Sequence, residues 1–349
     1  MEHGNSMKIF LTGGTGFIGL PLTRNLLARG WQVTVLVRNP NTAQARILTG
    51  LGAQCLAGDI TERESMRAGM TGADLLIHNA GHYELGLDSA GKKSMQAVNV
   101  LGTENVLGLA LELGIARTLY ISTVQAFGES GPQPRDESYQ RNSPCHTTYE
   151  RTKTEAHAIA CEYQRRGLPL IIACPNGAIG PNDYSSWGYY LRMYINQIMP
   201  PISPCPDTIF SLVEVNDLAR GLFLAAEKGR PGETYLFCGQ PKSLREHLAC
   251  WGKYPGAYKI QIWLPTQLAK YLFWPMEPLL RAFGLPAFMS REMVSTLAIN
   301  FNYSSQKACQ ELGWTYLDAE AMWASAMAGE MQNLQDQPQA ALISRLKPR

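Results

Sequence analysis

The chain has 349 residues, with 31 Lys and Arg against 29 Asp and Glu and a formal net charge of +2. That near balance gives no basic footprint for nucleic acid or for an anionic membrane, and the length suits one large domain beside a smaller one. Eight cysteines, at 55, 145, 161, 174, 205, 238, 250 and 309, show no Cys-x-x-Cys pairing, and no uninterrupted apolar run is long enough to span a bilayer, so reduced thiols in a cytoplasmic protein are expected.

Met1–Ser6 is polar and reads as a short leader or appended segment, with Met7 the structural start. Lys8-Ile9-Phe10-Leu11 is a short apolar strand running into Thr12-Gly13-Gly14-Thr15-Gly16-Phe17-Ile18-Gly19, and Leu20–Arg29 follows as an amphipathic helix. Gly14-x-Gly16-x-x-Gly19 fits the dinucleotide fingerprint. The glycines permit a tight turn, let the main chain approach a pyrophosphate, and let strand and helix pack closely. The helix N-terminus then turns free N–H groups and a positive dipole end on the phosphates. Gln32–Val37 is the second strand and ends at Arg38. An NAD site places an acidic residue about 20 residues past the glycines, to bond the ribose 2′-hydroxyl. Val37 and Arg38 stand there instead. A guanidinium pairs with a 2′-phosphate through forked, charge-assisted hydrogen bonds, and Arg46 in the next helix can assist. NADP(H) is the expected cofactor. NAD(H) is the alternative, with Arg38 merely opening a solvated turn, Arg38-Asn39-Pro40-Asn41.

Further strands are expected at Gln54–Ala57, Leu75–His78, Thr118–Ser122 and Leu170–Cys174, alternating with helices as in a parallel, doubly wound sheet. Thr61-x-x-Glu64 reads as a capping box opening one helix. Lys93–Leu113 has helical periodicity and ends at Gly114, and Thr148–Arg166 is a helix stopped by Gly167. Past Cys174, prolines and aromatics crowd Pro181–Pro206, and one helix–strand pair returns at Val215–Phe237. From Ser243, where Ser243-x-x-Glu246 is another capping box, the chain reads mainly helical, and no internal repeat is evident. The expected class is α/β: a Rossmann doubly wound parallel sheet with a smaller, mainly helical C-terminal substrate domain. Residues 7–175 and 209–238 form the nucleotide-binding domain, 176–208 and 239–330 the substrate domain, and 331–349 a frayed polar tail.

Tyr149-Glu150-Arg151-Thr152-Lys153 carries the catalytic signal. Residues four apart share a helix face, so the Tyr149 hydroxyl and Lys153 ammonium can face one cleft. The cation favours phenolate and brings the phenol's pKa toward the working pH, for proton exchange with an alcohol or ketone. Lys153 can also bond the nicotinamide ribose. Ser122-Thr123 ends a strand at the carboxyl edge of the sheet, where open α/β sheets bind ligands, and a hydroxyl there can donate to a developing oxyanion. His78, His146 and His157 lack metal-ligand spacing, so no metal site is expected.

Several segments beyond these resemble the extended (atypical) short-chain dehydrogenase/reductases of the NAD-dependent epimerase/dehydratase superfamily. They are Gly58-Asp59-Ile60, His78-Asn79-Ala80-Gly81, Asn99-Val-Leu-Gly-Thr-Glu-Asn105, Ile121 to Gly128, Pro175-Asn176 leading to Gly180-Pro181, and Val215-Asn-Asp-Leu-Ala219. The resemblance implies that Thr123, rather than Ser122, is the catalytic hydroxyl beside Tyr149 and Lys153. It implies that Gly13, Thr15, Gly16, Phe17, Ile18, Gly19, Arg38, Asp59, Ile60, Asn79, Ala80, Asn99, Pro175 and Ala178 hold the cofactor together with Tyr149 and Lys153. Val-Arg38-Asn-Pro and the closing Tyr303 to Trp314 are similar to dihydroflavonol-4-reductase-like and 3β-hydroxysteroid-dehydrogenase-like members. Nucleotide-sugar members carry an arginine seven residues before the Asp that matches Asp217; this chain has Phe210 there. Arginines 192, 281 or 291 are the candidates to replace it. Cys174 stands where many members have arginine.

Rings crowd the substrate region: His82, Tyr83, Trp187, Tyr189, Tyr190, Tyr194, Trp263, Phe273 and Trp274. Some are core, and some line an apolar pocket; His82, Tyr83, Asn176, Trp187 and Phe210 are the candidate substrate residues. Ile260–Leu285, apolar but interrupted by charge and proline, reads as a lid or packing helix, with weak membrane association as the alternative. The expected activity is NADPH-dependent reduction of a ketone or aldehyde of an apolar or aromatic small molecule, by a monomer or homodimer. A nucleotide-sugar epimerase or dehydratase is the first alternative, and a non-catalytic redox-sensing NAD(P) module the second.

Overall fold

Three runs of the sequence are buried along their whole length, Leu75–His78, Thr118–Ile121 and Leu170–Pro175, which is what a parallel strand covered on both faces requires. The computed structural model describes residues 6–256, 262–285, 287, 289–336 and 346. Most of the expected leader, Ile260, and most of the expected tail lie outside the described residues.

The first part alternates β1 (Lys8–Thr12), α1 (Gly19–Ala28), β2 (Gln32–Val37), α2 (Ala43–Gly50), β3 (Gln54–Ala57), α3 (Arg63–Met70) and β4 (Leu75–His78). Then come α4 (Ser89–Gln96), α5 (Gly102–Glu112), β5 (Thr118–Ile121), β6 (Gly131–Arg135), α6 (Thr148–Arg165) and β7 (Leu170–Pro175). The chain continues through β8 (Ala178–Ile179), α7 (Ser186–Ile195), β9 (Ile202–Pro204), β10 (Ile209–Phe210), β11 (Val213–Glu214), α8 (Val215–Lys228) and β12 (Thr234–Phe237). After β13 (Lys242–Ser243) the chain is mainly helical: α9 (Leu244–Trp251), α10 (Thr266–Phe273), α11 (Met276–Ala282), α12 (Arg291–Leu297), α13 (Gln306–Leu312) and α14 (Ala319–Gln335). Among the described residues, only β14 (Ile262–Leu264) and β15 (Phe301–Tyr303) interrupt these helices.

Seven strands form one sheet in the order β12-β7-β5-β4-β1-β2-β3, all pairs parallel. The order reverses direction at β1, and ligands of such sheets bind beyond the strand C-termini at that switch. Alternate residues divide between two cores. Ile9, Leu11, Val35 and Ile77 face α1, α2 and α8, while Phe10, Leu36, Leu76 and Tyr120 face α3, α5 and α6. The second core continues into the C-terminal region through Trp251, Phe273, Met293 and Trp323, and there β13-β10-β15-β6 form a smaller sheet.

The chain departs from the expected elements in three places. Thr61 does not cap α3: its N–H and hydroxyl both bond Asp59 Oδ1 at 2.8 Å. That local turn competes with the capping box, and α3 starts at Arg63 with no side-chain cap. The helix expected from Lys93 starts earlier, at Ser89, because Asp88 caps it through Gly91 N (2.8 Å). A π turn over Ala97–Leu101 separates it from α5. Finally, α14 runs to Gln335, five residues into the stretch expected to fray. The box at Ser243 and Glu246 forms in full.

The turn after β1 depends on missing side chains. A Cβ at Gly19 would lie 2.0 Å from Gly13 O, whereas one at Gly16 meets nothing nearer than 3.4 Å. Gly19→Ala is therefore expected to lose about 1–3 kcal/mol of stability, the usual range for overpacking, and Gly16→Ala distinctly less. Chemical denaturation of the two variants tests this; equal losses would mean the packing at Gly19 does not matter.

Candidate active site

The turn after β1 is pressed onto the turn after β4. Gly13 has φ +73, and a Cβ there would lie 2.6 Å from Ala80 N. Asn79 Nδ2 donates to Gly13 O (3.1 Å), and Ala80 N donates to Thr12 Oγ1 (3.2 Å). Helix α1 then begins behind Ile18 with no side chain bonded to its free N–H groups. A cleft of about 450 Å³ opens here, lined by Gly13, Thr15, Gly16, Phe17, Ile18, Arg38, Asp59, Ile60, Asn79, Ala80, His82 and Tyr83. Gly19 sits behind the turn and sets its depth. The donors of an uncapped helix end beside the open backbone at Gly13 and Gly16 fit a diphosphate. Arg38 is exposed at the rim and has no hydrogen bond or ion pair among the described residues. Asp59 is already bonded to Thr61. Arg46 is exposed on α2 and does not line the cleft.

Tyr149 is the second residue of α6, whose N-terminus is fixed by a Thr147 cap onto Glu150 N (3.0 Å). Glu150 is buried against Arg141 and accepts His146 N at 2.6 Å. One turn on, Lys153 is 5% exposed; Nζ donates to Tyr120 Oη (3.1 Å) and Ile121 O (3.0 Å). An ammonium has three donors, and the third finds no acceptor among the described residues. Thr123 leaves β5 extended and accepts Gln125 N at 3.2 Å, while Ser122 Oγ pairs with His157 Nδ1 (3.0 Å). The Tyr83 ring stands edge-on to Tyr149, centroids 4.7 Å apart.

Burial raises the pKa of Tyr149 above the ordinary phenol value, and the charge of Lys153 and a hydrogen bond with Thr123 oppose it. The lysine acts in the expected direction, but desolvation outweighs it, so the phenol holds its proton. Burial likewise pulls Lys153 down, against Tyr149.

The π turn places Asn99 rather than extending a helix. Asn99 is 2% exposed; Oδ1 accepts His82 N (2.7 Å), and Nδ2 donates to His82 O (3.0 Å) and Thr152 Oγ1 (3.0 Å). It ties the loop after β4 to α6 instead of lining the cleft. Beneath it runs a chain that the sequence reading missed: Thr12 Oγ1 to His78 Nδ1 (2.8 Å), His78 Nε2 to Thr103 Oγ1 (3.1 Å), and Thr103 to Asn99 O (2.7 Å). The signal was a histidine ending a buried strand beside the glycine turn.

The remaining candidates lie elsewhere. Pro175 ends β7 and Ala178 starts β8, neither in the cleft wall. Asn176 Nδ2 donates to Phe301 O (2.9 Å). Phe210 is buried in β10, with its ring 5.7 Å from Trp187 and its carbonyl on His247 Nε2 (3.1 Å). Trp187 lines a separate apolar hollow with Tyr190, Trp251, Phe273 and Met293. Of the arginines proposed to replace a clamp, Arg192 is buried on Glu330 (2.9 Å) and Asp183 O (2.7 Å). No group of three or more His, Cys, Asp or Glu that could hold a metal occurs among the described residues, and none of their helices is long and apolar enough to cross a membrane.

Three histidines are held neutral. Burial, then the charge of Lys153, lowers His78 to about 3 and His157 to about 4; burial, against the Phe210 carbonyl, lowers His247 to about 4. Below the unfolded value of about 6.5 the unfolded chain binds protons that the native state refuses. Stability should thus be full above pH ~6.5 and fall as pH drops toward about 4, with a slope up to about 1.4 kcal/mol per pH unit for each histidine. Urea melts from pH 7 to 4.5 on wild type and His157→Gln test this; the variant should show the shallower slope.

A family model described as the NAD dependent epimerase/dehydratase family matches residues 9–238. The chain is 32% identical over 318 residues to a Synechocystis sp. protein named "Putative dihydroflavonol 4-reductase", covering 87% of this chain and 89% of that one. It is 31% identical over 317 residues to the 4-hydroxy-2-methyl-3-oxo-4-farnesyl-3,4-dihydroquinoline-1-oxide ketoreductase of Stigmatella aurantiaca, covering 88% and 92%. Among solved structures, that of gox2253 has 28% identity and a TM-score of 0.77, covering 94% of this chain and 99% of that one. The dTDP-glucose 4,6-dehydratase DesIV of Streptomyces venezuelae, with NAD bound, has 21% identity and a TM-score of 0.72 over 94% and 98%, a likeness of fold alone. The chain belongs to the NAD dependent epimerase/dehydratase family and is an NAD(P)-dependent oxidoreductase of the extended short-chain dehydrogenase/reductase type.

Proposed function

We propose that this enzyme reduces the ketone or aldehyde of an apolar or aromatic small molecule with NADPH. The observation that carries the reading is the meeting of a protonated, desolvated Tyr149, Thr123 and a buried, partly unsatisfied Lys153 at the carboxyl edge of the sheet. Two relatives named as reductases of carbonyl compounds support the direction. The glycine turn and the α1 N-terminus would hold the diphosphate, and Arg38, free at the cleft rim, would take the 2′-phosphate. A reduced nicotinamide, when bound, supplies a hydride to the carbonyl carbon. Thr123 Oγ1 donates to the carbonyl oxygen as charge develops there. Tyr149 Oη gives that oxygen its proton, completing the alcohol, and the spare Lys153 donor stabilises the phenolate left behind. A tyrosine raised by burial suits this role, because it arrives at the substrate protonated.

A nucleotide-sugar reading needs a cation for the diphosphate. Phe210 is buried and Arg192 is committed to Glu330, so neither favours it. An intact Thr123, Tyr149 and Lys153 set favours an enzyme over a silent sensor.

Arg38→Ala should weaken NADPH binding by about 1.5–3 kcal/mol, the size of a charge-assisted bond, and leave NADH nearly unchanged. Calorimetry with both nucleotides decides it; equal losses would remove the 2′-phosphate assignment. Tyr149→Phe should keep NADPH binding and lose about 10²–10⁴ in turnover, as general-acid removal does; near-normal turnover would give the proton to another group. Calorimetry on the NADPH-loaded protein should detect apolar ketones and no UDP-, GDP- or dTDP-sugars, since a diphosphate placed without a cation loses its hydration uncompensated.

A further inference from the structure

Helices α10 and α11 carry large apolar side chains on a solvent-facing side as well as on their buried one. Their inner side, with Ala269, Phe273 and Leu280, enters the core. Their outer side carries Leu268, Tyr271, Leu272, Trp274, Leu279 and Phe283, all exposed, with Tyr271 at 71% and Trp274 at 63%. Ile262, just before α10, is also exposed. Seven of the fourteen exposed large hydrophobic residues among the described residues thus fall within 22 positions of one segment, a concentration that marks an interaction surface.

We propose that this face docks on the surface of a lipid bilayer. The chemistry of the face favours lipid over a second protein. Trp and Tyr rings beside Leu and Phe are the residues that settle at the headgroup boundary. Arg281 stands exposed among them with no ion pair among the described residues, whereas Lys270 lines a polar hollow with Glu277 and Glu292, and Glu277, the one acid of the two helices, is turned to α12 and accepts Arg291 N (3.3 Å). The charge left free on the face is therefore positive, complementary to anionic headgroups. The position of α10 supplies the second argument. Its inner residue Phe273 walls the apolar hollow that also holds Trp187, Trp251 and Met293, so the helix separates that hollow from the outer face. The hollow in turn adjoins the catalytic helix: Glu292, beside Met293, accepts the N–H of Thr148 (3.1 Å), which precedes Tyr149. A lipid-soluble ligand leaving a bilayer at α10 would meet the hollow first. That use of the surface rests on the proposed reductase reading; the docking itself does not.

Flotation of the full chain with phosphatidylcholine vesicles, with and without phosphatidylglycerol, tests the docking without any activity measurement. Wild type should float with both, more with phosphatidylglycerol. Leu272→Glu/Trp274→Glu should bind at least tenfold less, and Leu51→Glu, an exposed apolar residue elsewhere, should bind as wild type does. An unchanged thermal shift with NADPH shows that the double variant is folded. Brominated phosphatidylcholine should quench part of the wild-type tryptophan emission, a readout that needs no variant. Wild type failing to float and escaping quenching would overturn the proposal. So would equal flotation of the double variant, or a wild-type dimer in sedimentation velocity that the double variant breaks while neither binds vesicles, which would assign the face to a second copy.

Discussion

One buried ammonium organises the site. Lys153 sits out of water with two neutral acceptors, Tyr120 Oη and Ile121 O, and no carboxylate among the described residues to compensate it. An uncompensated buried charge acts on everything near it. It helps keep His78 and His157 neutral, and it opposes the burial that raises Tyr149. On the proposed reading, a phenolate formed at Tyr149 would relieve the Lys153 charge. Proton loss from the tyrosine is unfavourable at rest, because burial outweighs the lysine's charge.

That charge is held in place by packing far simpler than itself. The turn after β1 and the turn after β4 touch backbone to backbone because Gly13 leaves no atoms between them, and Gly19 lets α1 close on the same turn. The contact brings His78 against Thr12, and the histidine passes the alignment through Thr103 to the π turn and Asn99. Asn99 uses its whole amide on His82 and Thr152, one residue before Lys153. π turns occur inside helices at functional sites. Here the extra residue turns Asn99 inward, onto the loop after β4 and α6.

The central strands β4, β5 and β7 were legible because they are buried on both faces and must be continuous apolar runs, while Gln32–Val37 was legible from its β-branched residues and its place after the glycine turn. The helix at Lys93–Leu113 was legible as a helix but not as two, since a π turn leaves the apolar period almost unchanged. Thr61 was misread because a side chain can bond a preceding aspartate as readily as a helix N–H. Side-chain commitments were the least visible. Asn99, Asn176 and Phe210 are spent on protein groups, and nothing in their spacing distinguishes that from facing a ligand. The tyrosine's pKa direction was hidden for a related reason: a helix places Lys153 beside Tyr149, but only the packed fold says how much water they lose.

The most direct test of the central claim is the pH profile of kcat/KM for ketone reduction, compared between wild type and Lys153→Met. If the lysine's charge is what opposes the burial of Tyr149, the alkaline limb that reports deprotonation of the phenol should move to higher pH in the variant. A limb at the same pH in both proteins would contradict it.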